Sequence, residues 1–388
     1  MFQKTFQQTA DVHAMGEGQP MILASAPAKC VLFGEHAVVY GQPAMAVALD
    51  LRTQVSIQAN SRTQLEGCKF QPKIHPHIHF LLQKLWPKSS IEQRLSIEIQ
   101  STIPSASGLG SSAAMCNALI ACLRAARGRR TDQQGHWLEG WSSFYNSKQA
   151  YERSSFDHYE MPPNVLGHDA ISTDECGLLA HAAEAFAQGG LASPMDTSTS
   201  AHGGLILLGT NRKEQYLYTR ELMVNQQIRS WDINHIQPRF PEDLYLVIGS
   251  TGVKSSTREQ VKHVAELISN SNEHASYIDD IGTITMAGLE AMQNGDFVEV
   301  GRLMNQNQIL LEKLQVSSTE LRRLIRAALP TSLGTKLSGA GGGGCMIALT
   351  HHPEQTASAI ESAGGTSFIT SISKDGVRLE SFENILGF

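Results

Sequence analysis

The chain has 388 residues, of which 41% are hydrophobic and 18% are charged. This length exceeds what one hydrophobic core usually serves, so the sequence predicts two domains. The 31 basic and 37 acidic residues give a net charge of −6, which argues against nucleic acid or an anionic membrane as a partner.

The six cysteines are scattered along the chain without a Cys-x-x-Cys pair. This spacing argues against a disulfide framework or a zinc site and favours reduced thiols. The first 20 residues lack the continuous apolar run of a signal peptide. No stretch approaches the roughly 18 apolar residues of a transmembrane helix. The sequence therefore predicts a soluble, cytoplasmic protein with no membrane partner.

The N-terminal half starts with a polar arm, residues 1–20, and continues from Met21 with short strand-like segments. "HIHFLLQKLW" predicts a helix, and the alternation in "RLSIEIQ" predicts a half-buried strand. "SSAAMCNALIACLRAARG" predicts a second helix whose start is capped by Ser111 or Ser112. Residues 129–176 are polar, turn-rich and dotted with aromatic residues, which indicates an insertion.

We expect an N-terminal domain over residues 21–204 and a C-terminal domain over residues 205–388. In the second half, "DLYLVIGSTG" predicts a strand and a turn, while "SSTREQVKHVAELI" and "FVEVGRLMNQNQILLEKL" predict helices. Strands and helices interleave in both halves, so the pattern leaves the α/β and α+β classes open.

The stretch "PSASGLGSSAA", residues 104–114, allows a dinucleotide turn, another phosphate-binding loop or a flexible loop before a helix. The letters match G-x-G-x-x-[GA], but no strand runs directly into Gly108 and no second strand ends in an acid about 20 residues later. An NAD-dependent oxidoreductase is therefore set aside. A Walker A loop also fails, because the stretch contains no lysine. Small residues before a helix N-terminus can still cradle a phosphate, and a tight turn into a capped helix stays open.

Two further patterns are ambiguous by themselves. "GAGGGG", Gly339–Gly344, is followed by the strand-like "CMIALT", so a bulged hairpin and a functional loop are equally compatible with it. "HPHIH", residues 75–79, would bring three histidines to one face of a strand. We favour a helix start there instead, and no carboxylate cluster accompanies the histidines, so a metal site is not expected.

"APAKCVLFGEHAVVYG", residues 26–41, closely resembles the first signature of the mevalonate kinases of the GHMP kinase superfamily. "PSASGLGSSAA" is similar to the ATP-binding second motif of that superfamily, and "KLSGAGGGGCMIAL" to its third. "QGGLASPMDTSTS" and "GSTGVKSST" look like mevalonate kinases of the archaeal type. The motifs occur in the family's order, and the resemblance extends from about Met21 to near the C-terminus, interrupted by residues 129–176.

This resemblance implies a two-domain α+β fold. Its N-terminal domain is of the ribosomal-protein-S5-like domain 2 type and binds ATP, its C-terminal domain is ferredoxin-like, and the active site lies in the cleft between them. The implied activity is ATP-dependent phosphorylation of (R)-mevalonate at the C5 hydroxyl, giving 5-phosphomevalonate for isoprenoid biosynthesis. Mevalonate and ATP are the implied partners and Mg²⁺ is the implied cofactor, while a homodimer is left open. The alternatives are a mevalonate 3-kinase, a phosphomevalonate kinase, a sugar kinase, or a non-catalytic nucleotide-binding module.

The resemblance also assigns roles to individual residues. Asp196 matches the catalytic aspartate, and Lys29 matches the lysine of the first motif. Ser112 and Glu184 match the Mg²⁺ ligands, although one residue more than the family pattern separates Glu184 from Asp196. A lysine beside an aspartate favours the ionised carboxylate, and a hydroxyl with a carboxylate is a donor set that Mg²⁺ accepts.

The remaining implied roles concern substrate and nucleotide. Glu35, His36 and Thr251 fall at substrate-side positions, together with Asp196. We expect three glycines of the third motif to let its backbone approach the second-motif loop. The implied ATP-binding residues are Pro104, Ser105, Ala106, Ser107, Gly108, Leu109, Gly110, Ser111, Ser112, Gly339, Gly341 and Gly342.

Overall fold

A computed structural model describes most of the chain. The described residues are 21–86, 94–104, 107–126, 130–131, 137–138, 172–188, 192–209, 212–213, 215–224 and 227–380. The predicted N-terminal arm lies outside them, as does most of the predicted insertion. Ser105 and Ala106, two of the implied ATP-binding residues, also lie outside the described residues.

Within these ranges the chain forms nine α-helices and two short 3-10 turns. The helices are α1 (Pro76–Leu85), α2 (Ser111–Ala126), α3 (Thr173–Ala187), α4 (Met195–His202), α5 (Thr257–Asn270), α6 (Asn272–Gln293), α7 (Phe297–Lys313), α8 (Thr319–Ala328) and α9 (Pro353–Ser362), with 3-10 turns at Ala37–Tyr40 and Leu329–Thr331. Both helices predicted in the N-terminal half, α1 and α2, are confirmed.

The described residues also form strands that build two sheets and a small hairpin. The strands are β1 (Ile22–Phe33), β2 (Ala44–Asn60), β3 (Gln64–Leu65), β4 (Cys68–Lys69), β5 (Arg94–Ser101), β6 (Arg130–Thr131), β7 (Trp137–Leu138), β8 (Leu205–Gly209), β9 (Tyr216–Val224), β10 (Gln227–Ile236), β11 (Tyr245–Ser250), β12 (Gly334–Ser338), β13 (Cys345–Thr350), β14 (Thr366–Thr370) and β15 (Arg378–Leu379). The strand predicted from "RLSIEIQ" is confirmed as β5.

The first sheet is built around the long antiparallel pair of β1 and β2, in which Lys29 lies opposite Ala48. Its main strand order is β4-β3-β5-β2-β8-β10-β9, and β1 pairs with both β2 and β15. Helix α2 packs directly on β1 and β2, and α1, α3 and α4 pack around α2. The small buried side chains of "SAPA" in β1 permit this close approach. Each fully buried leucine of the core, such as Leu119, stabilises the fold by about 1.5–3 kcal/mol.

Strands β8, β9 and β10 also belong to the first sheet. Ala44 of β2 pairs with Leu208 of β8, and β10 pairs with both β8 and β9. We expected the C-terminal domain to begin at residue 205, where "LILLG" follows two glycines. By hydrogen-bonded pairing, the second sheet begins at Tyr245 with β11. The partner of a strand is distant in sequence, so the local pattern does not show which sheet β8 joins.

The second sheet is antiparallel, with the order β12-β13-β11-β14. Helix α7 packs against β12, α8 against β12 and β13, and α9 against β11 and β14. Val247, Leu324, Met346 and Ile360 are buried together between this sheet and its helices. Two sheets with their own helices confirm the predicted α+β class.

The two sheets meet along the first and third sequence motifs. The Val31 amide donates to the Ser338 hydroxyl at 2.9 Å, which joins β1 to the end of β12. The Lys336 ammonium forms a fully buried ion pair with the Glu35 carboxylate. None of the helices in the described ranges is long and apolar enough to cross a membrane.

After β14 the chain returns to the first sheet. The Ser373 amide donates to the Ala48 carbonyl at 2.9 Å, and β15 pairs with β1 so that Leu379 lies opposite Ala24. The Arg52 guanidinium donates to the Gly376 carbonyl at 2.6 Å. The last described residues are therefore an integral part of the first sheet.

Candidate active site

A cavity of ≈ 400 Å³ lies where the two sheets meet. Its walls come from the first motif, the second-motif loop, the end of α3, the start of α4, the start of α5 and the third motif. The lining includes Lys29, Glu35, His36, Ser107, Gly108, Leu109, Gly110, Ser111, Ser112, Glu184, Gln188, Ser193, Asp196, Thr257, Val261 and Gly339. The structure thus brings together most of the residues that the sequence singles out, from segments spread over more than half of the chain.

Lys29 and Asp196 form an ion pair in this cavity, with Nζ and Oδ1 2.9 Å apart. The Lys29 side chain is 4% exposed and that of Asp196 is 41% exposed, so the carboxylate has a free face toward the cavity. Gly110 has a φ of +74°, and a Cβ at this position would lie 2.9 Å from Lys29 Cγ. The second-motif loop therefore requires glycine here, because the lysine stem passes directly over it.

Helix α4, which carries Asp196, is tied to the elements that carry the other site residues. The Asn117 amide on α2 donates to the Thr197 carbonyl at 3.0 Å. The Ser200 hydroxyl donates to the Pro27 carbonyl of β1 at 2.7 Å. Both bonds are buried, and a buried hydrogen bond is costly to leave unmade. Asp196 is therefore presented from a short helix with a fixed orientation.

Glu184 lies near the end of α3, with its carboxylate in the cavity wall. It accepts hydrogen bonds from the Ser112 hydroxyl and the Gln188 amide, and His77 Nε2 is 3.9 Å away. Burial raises the pKa of Glu184 to about 7, and the Asp196 carboxylate also raises it. The extra residue between Glu184 and Asp196 does not separate the two side chains, because both still reach the same cavity.

The second-motif loop leads into α2 at the cavity edge. Gly108 and Gly110 both have positive φ values, +76° and +74°. Ser111 is the first residue of α2, and the Ser112 hydroxyl donates to Glu184 rather than capping the helix, which corrects the capping expectation for Ser112. The first backbone amides of a helix have no partner inside it and favour an anion. Pro104 precedes this loop but does not line the cavity.

The third motif approaches the second motif at Gly339 and at Gly344, where an added Cβ would lie 3.6 Å from the Ser107 carbonyl oxygen. An added Cβ on Gly108 would lie 3.9 Å from the Ser338 carbonyl oxygen, and one on Gly339 would lie 4.0 Å from the Gly108 carbonyl oxygen. This contact agrees with the expectation for Gly339. Gly341 and Gly342 do not follow it: Gly341 packs against the Val316 backbone, and the Gly342 amide donates to the Val316 carbonyl at 2.7 Å.

Glu35 and His36 line the cavity but are engaged with the protein. Besides its ion pair with Lys336, Glu35 accepts from the Asn307 amide at 3.2 Å. His36 has a φ of +62°, and its Nε2 lies 2.9 Å from the Ala340 carbonyl oxygen, which makes Nε2 the donor. Burial lowers the pKa of His36 to about 4. Both residues therefore brace the junction of the first and third motifs.

Thr251 does not line the cavity, contrary to its implied substrate-side position. Its hydroxyl donates to the Gly344 carbonyl at 2.8 Å, and its backbone amide donates to the same oxygen at 2.9 Å. The residue holds the end of β11 against the third-motif loop. A threonine after a strand gives no local indication of which way its hydroxyl turns, so the sequence could not settle this position.

The histidines of "HPHIH" start a helix, as expected, because Pro76 is the first residue of α1. Across the ranges that the structure describes, no group of three or more His, Cys, Asp or Glu side chains is arranged to hold a metal ion. His77 lies near Glu184, with Nε2 3.9 Å from its carboxylate.

Sequence reasoning missed Gln188 and His77 as neighbours of Glu184. Gln188 is four residues after Glu184, which places both on one face of the helical turn, so the spacing contained this information. His77 belongs to a different helix, and its approach depends on the packing of α1 against α3. No local pattern could have revealed that contact.

Two family models match the chain: the GHMP kinases N terminal domain over residues 77–137 and the GHMP kinases C terminal model over residues 289–368. The mevalonate kinase of Pyrococcus abyssi is 30% identical over 394 residues, covering 93% of this chain and 98% of the relative. That of Thermococcus onnurineus is 31% identical over 395 residues, covering 92% and 98%. The solved structure of L. major mevalonate kinase in complex with R-mevalonate is similar with a TM-score of 0.62 at 22% identity, covering 92% of this chain and 96% of that one.

The fold, the cavity and the two family models define a GHMP kinase. The similarity to the solved structure, at 22% sequence identity, supports the fold and not the activity. The identity to archaeal relatives over nearly their whole length goes further, and the chain belongs to the mevalonate kinase family. The resemblance that the sequence motifs indicated, including its archaeal character, is thereby confirmed.

Proposed function

We propose that this kinase transfers the γ-phosphoryl group of ATP to the C5 hydroxyl of (R)-mevalonate, giving 5-phosphomevalonate for isoprenoid biosynthesis. The observation that carries the proposal is the Lys29–Asp196 pair, which sits in one cavity with a lysine-free phosphate-type loop and the Glu184 carboxylate. The names of the archaeal relatives support mevalonate as the substrate.

Asp196 and Lys29 are the proposed catalytic residues. The exposed face of the Asp196 carboxylate accepts the hydrogen bond of the substrate hydroxyl and takes its proton as the oxygen attacks phosphorus. The Lys29 ammonium faces the same point and offsets negative charge that develops on the alkoxide and the transferred phosphoryl group. Because Lys29 is almost fully buried, water screens this charge little.

The second-motif loop is the proposed cradle for the ATP phosphates. Ser107, Gly108, Leu109, Gly110 and Ser111 line the cavity just before and at the start of α2. Amides at a helix start favour phosphate through hydrogen bonds and the helix dipole. Gly339 approaches this loop from the third motif, and the segment 104–106 leads into it.

Ser112 and Glu184 are the proposed protein ligands of Mg²⁺. The donor set fits this ion, because a hydroxyl and a carboxylate are hard oxygen ligands. The charge also fits. Burial and the nearby Asp196 carboxylate raise the pKa of Glu184 to about 7, and a cation close to both carboxylates would stabilise their ionised forms. When bound, the ion would neutralise phosphate charge during transfer. Mg²⁺ in kinases is typically held by one or two protein oxygens together with substrate phosphates, and Ser112 with Glu184 would supply the protein part of such a set.

The substrate side of the site is proposed to use Asp196 directly and His36 at the cavity wall. The His36 imidazole is fixed through Nε2, which leaves Nδ1 as an acceptor for a substrate hydroxyl. Glu35 acts by holding the wall through Lys336. The Thr251 hydroxyl could contact the substrate only by giving up its hydrogen bond to the Gly344 carbonyl. We therefore assign Thr251 no direct contact with the substrate.

Product analysis tests the regiochemistry and the substrate together. The purified chain is incubated with Mg·ATP and mevalonate, phosphomevalonate or galactose, and ³¹P NMR locates the product phosphate. A C5 phosphomonoester of mevalonate is expected. A C3 phosphate would indicate a mevalonate 3-kinase, turnover of another acceptor would indicate a different GHMP kinase, and ATP binding without any product would indicate a non-catalytic module.

Asp196→Asn tests the proposed proton acceptor. The amide keeps the shape of the side chain but cannot take a proton, so kcat should fall by about 10²–10⁴. ATP affinity, measured by isothermal titration calorimetry, should change little, because Asp196 lies on the acceptor side of the loop. Near-normal turnover would remove the general-base role.

We further propose a cytoplasmic location. All six cysteines are free, and all but Cys68 are buried, which suits a reducing compartment. Whether the kinase forms a homodimer is decided by its mass in solution, measured by light scattering after gel filtration.

A further inference from the structure

A chain of buried hydrogen bonds runs from β9 to the segment that precedes Asp196. The Arg220 Nε donates to His181 Nδ1 at 2.7 Å, and His181 Nε2 lies 3.0 Å from the Ala192 carbonyl oxygen. The side chains of Arg220 and His181 are 1% and 0% exposed. None of the motifs identified in the sequence includes either residue.

The geometry fixes the state of the His181 ring. Nδ1 faces a guanidinium N–H and must accept, whereas Nε2 faces a carbonyl and must donate, which defines the neutral Nε2–H tautomer. Burial, together with the Arg220 charge, lowers the pKa of His181 to about 3, so the ring stays neutral at physiological pH. The Trp231 ring meets the imidazole edge-on, with centroids 6.3 Å apart.

The carbonyl that His181 holds is close to the catalytic residue in both sequence and space. Ala192 and Ser193 line the cavity with Asp196. Pro194 is the N-cap of α4, and its carbonyl accepts from the Ser198 amide at 2.9 Å. The path of residues 192–194 therefore sets where the first turn of α4 begins, and Asp196 is in that turn.

Resting on the proposed phosphoryl transfer, we propose that His181, oriented by Arg220, is a positioning residue that holds the 192–194 segment and thereby aims the Asp196 carboxylate at the acceptor hydroxyl. His181 and Glu184 are three residues apart on α3, so one helix fixes both the proposed metal-side carboxylate and the approach to Asp196. A displacement of α3 would move both groups together.

Two polar substitutions separate the two hydrogen bonds of His181. In His181→Gln the amide nitrogen reaches the position of Nε2 and can still donate to the Ala192 carbonyl. In His181→Asn the shorter side chain can accept from Arg220 near the position of Nδ1 but leaves the Ala192 carbonyl without its donor. His181→Leu removes both bonds and keeps much of the volume.

We expect His181→Asn and His181→Leu to lower kcat by about 10²-fold, which is the order of effect of a misplacement near 1 Å. The KM for ATP should stay nearly unchanged, because the second-motif loop is not touched. His181→Gln should restore most of kcat. Equal losses in the Gln and Asn variants, or lower thermal stability with an unchanged kcat, would overturn the positioning role.

Two measurements do not depend on the substrate. In the wild-type protein labelled with ¹⁵N-histidine, long-range ¹H–¹⁵N NMR should show the Nε2–H tautomer for His181, and the Nδ1–H tautomer would overturn the proposal even if no variant folds. Hydrogen exchange of the backbone amides that follow Ala192 should accelerate in the Asn and Leu variants but not in the Gln variant. If mevalonate is not the acceptor, the wild-type protein shows no turnover with mevalonate, but the tautomer and the hydrogen-exchange results are unaffected. A failure of the proposed function can therefore be distinguished from a failure of the positioning role of His181.

Discussion

Replacing Glu184 with glutamine should abolish Mg²⁺-dependent turnover and yet stabilise the metal-free fold at alkaline pH. Burial raises the pKa of Glu184 from 4.5 to about 7. Between these values the folded state keeps a proton that the unfolded state has lost, so the stability of the wild type falls as the pH rises through this window. Glutamine has nearly the same shape but no charge to desolvate, so the variant escapes this loss.

The magnitude follows from the two pKa values. Their difference corresponds to about 3 kcal/mol at about 1.4 kcal/mol per pH unit. This advantage of the variant is absent below pH 4.5, grows up to about pH 7 and is then constant. Because the unfolding entropy grows with chain length, a chain of 388 residues gains only about 1.2 °C in Tm per kcal/mol, so the variant should melt about 4 °C higher at alkaline pH.

Thermal unfolding of both proteins in EDTA, from about pH 5 to about pH 8.5, measures this difference. Glu175→Gln is the matched control, since it is the same substitution on the same helix. Glu175 forms a buried ion pair with Arg124, so its neutralisation removes one buried ionic interaction and should lower Tm. A Tm difference between wild type and Glu184→Gln that does not change with pH would refute the argument.

Two further substitutions test the contacts that shape the cavity. Gly110→Ala would bring a methyl group within 2.9 Å of Lys29 Cγ, so kcat should fall about tenfold or more as the ammonium moves. Gly41→Ala is the control, because Gly41 also has a positive φ, +85°, but has open space around it. This control should lose about 1–2 kcal/mol of stability through backbone strain, measured by thermal unfolding, and should keep its activity. If the two variants lost equal activity, the steric argument would fail. Lys336→Met leaves Glu35 buried without its cation and should destabilise the fold by about 3–5 kcal/mol in urea unfolding. The double variant with Glu35→Gln should recover much of that loss, and no recovery would mean that the Glu35 charge is not the cause.

The sequence predicted those parts of the site that depend on local backbone chemistry. The small residues of the second-motif loop and the start of the helix that follows it are each readable from short segments. The order of the motifs then identified the family, which supplied the pairing of Lys29 with Asp196. That pairing could not be derived from either segment alone, because 166 residues separate the two positions.

The features that the sequence did not predict depend on long-range packing. Gly341 and Gly342 looked equivalent to Gly339, yet they approach Val316 because the loop turns away from the second motif. The ion pair between Glu35 and Lys336 was not predicted either, because Lys336 lies on a strand of the other sheet. The same limit applied to β8, whose pairing with β2 is invisible in "LILLG" itself.

The return of residues 371–380 to the first sheet imposes an order on folding during synthesis. Strand β1 leaves the ribosome when its edge partner β15 has not yet been made, so the nascent N-terminal half carries an unpaired strand edge while the whole second sheet is translated. Such an edge is a template for association with another chain. The first sheet therefore gains its last strand only after the whole second sheet has been translated.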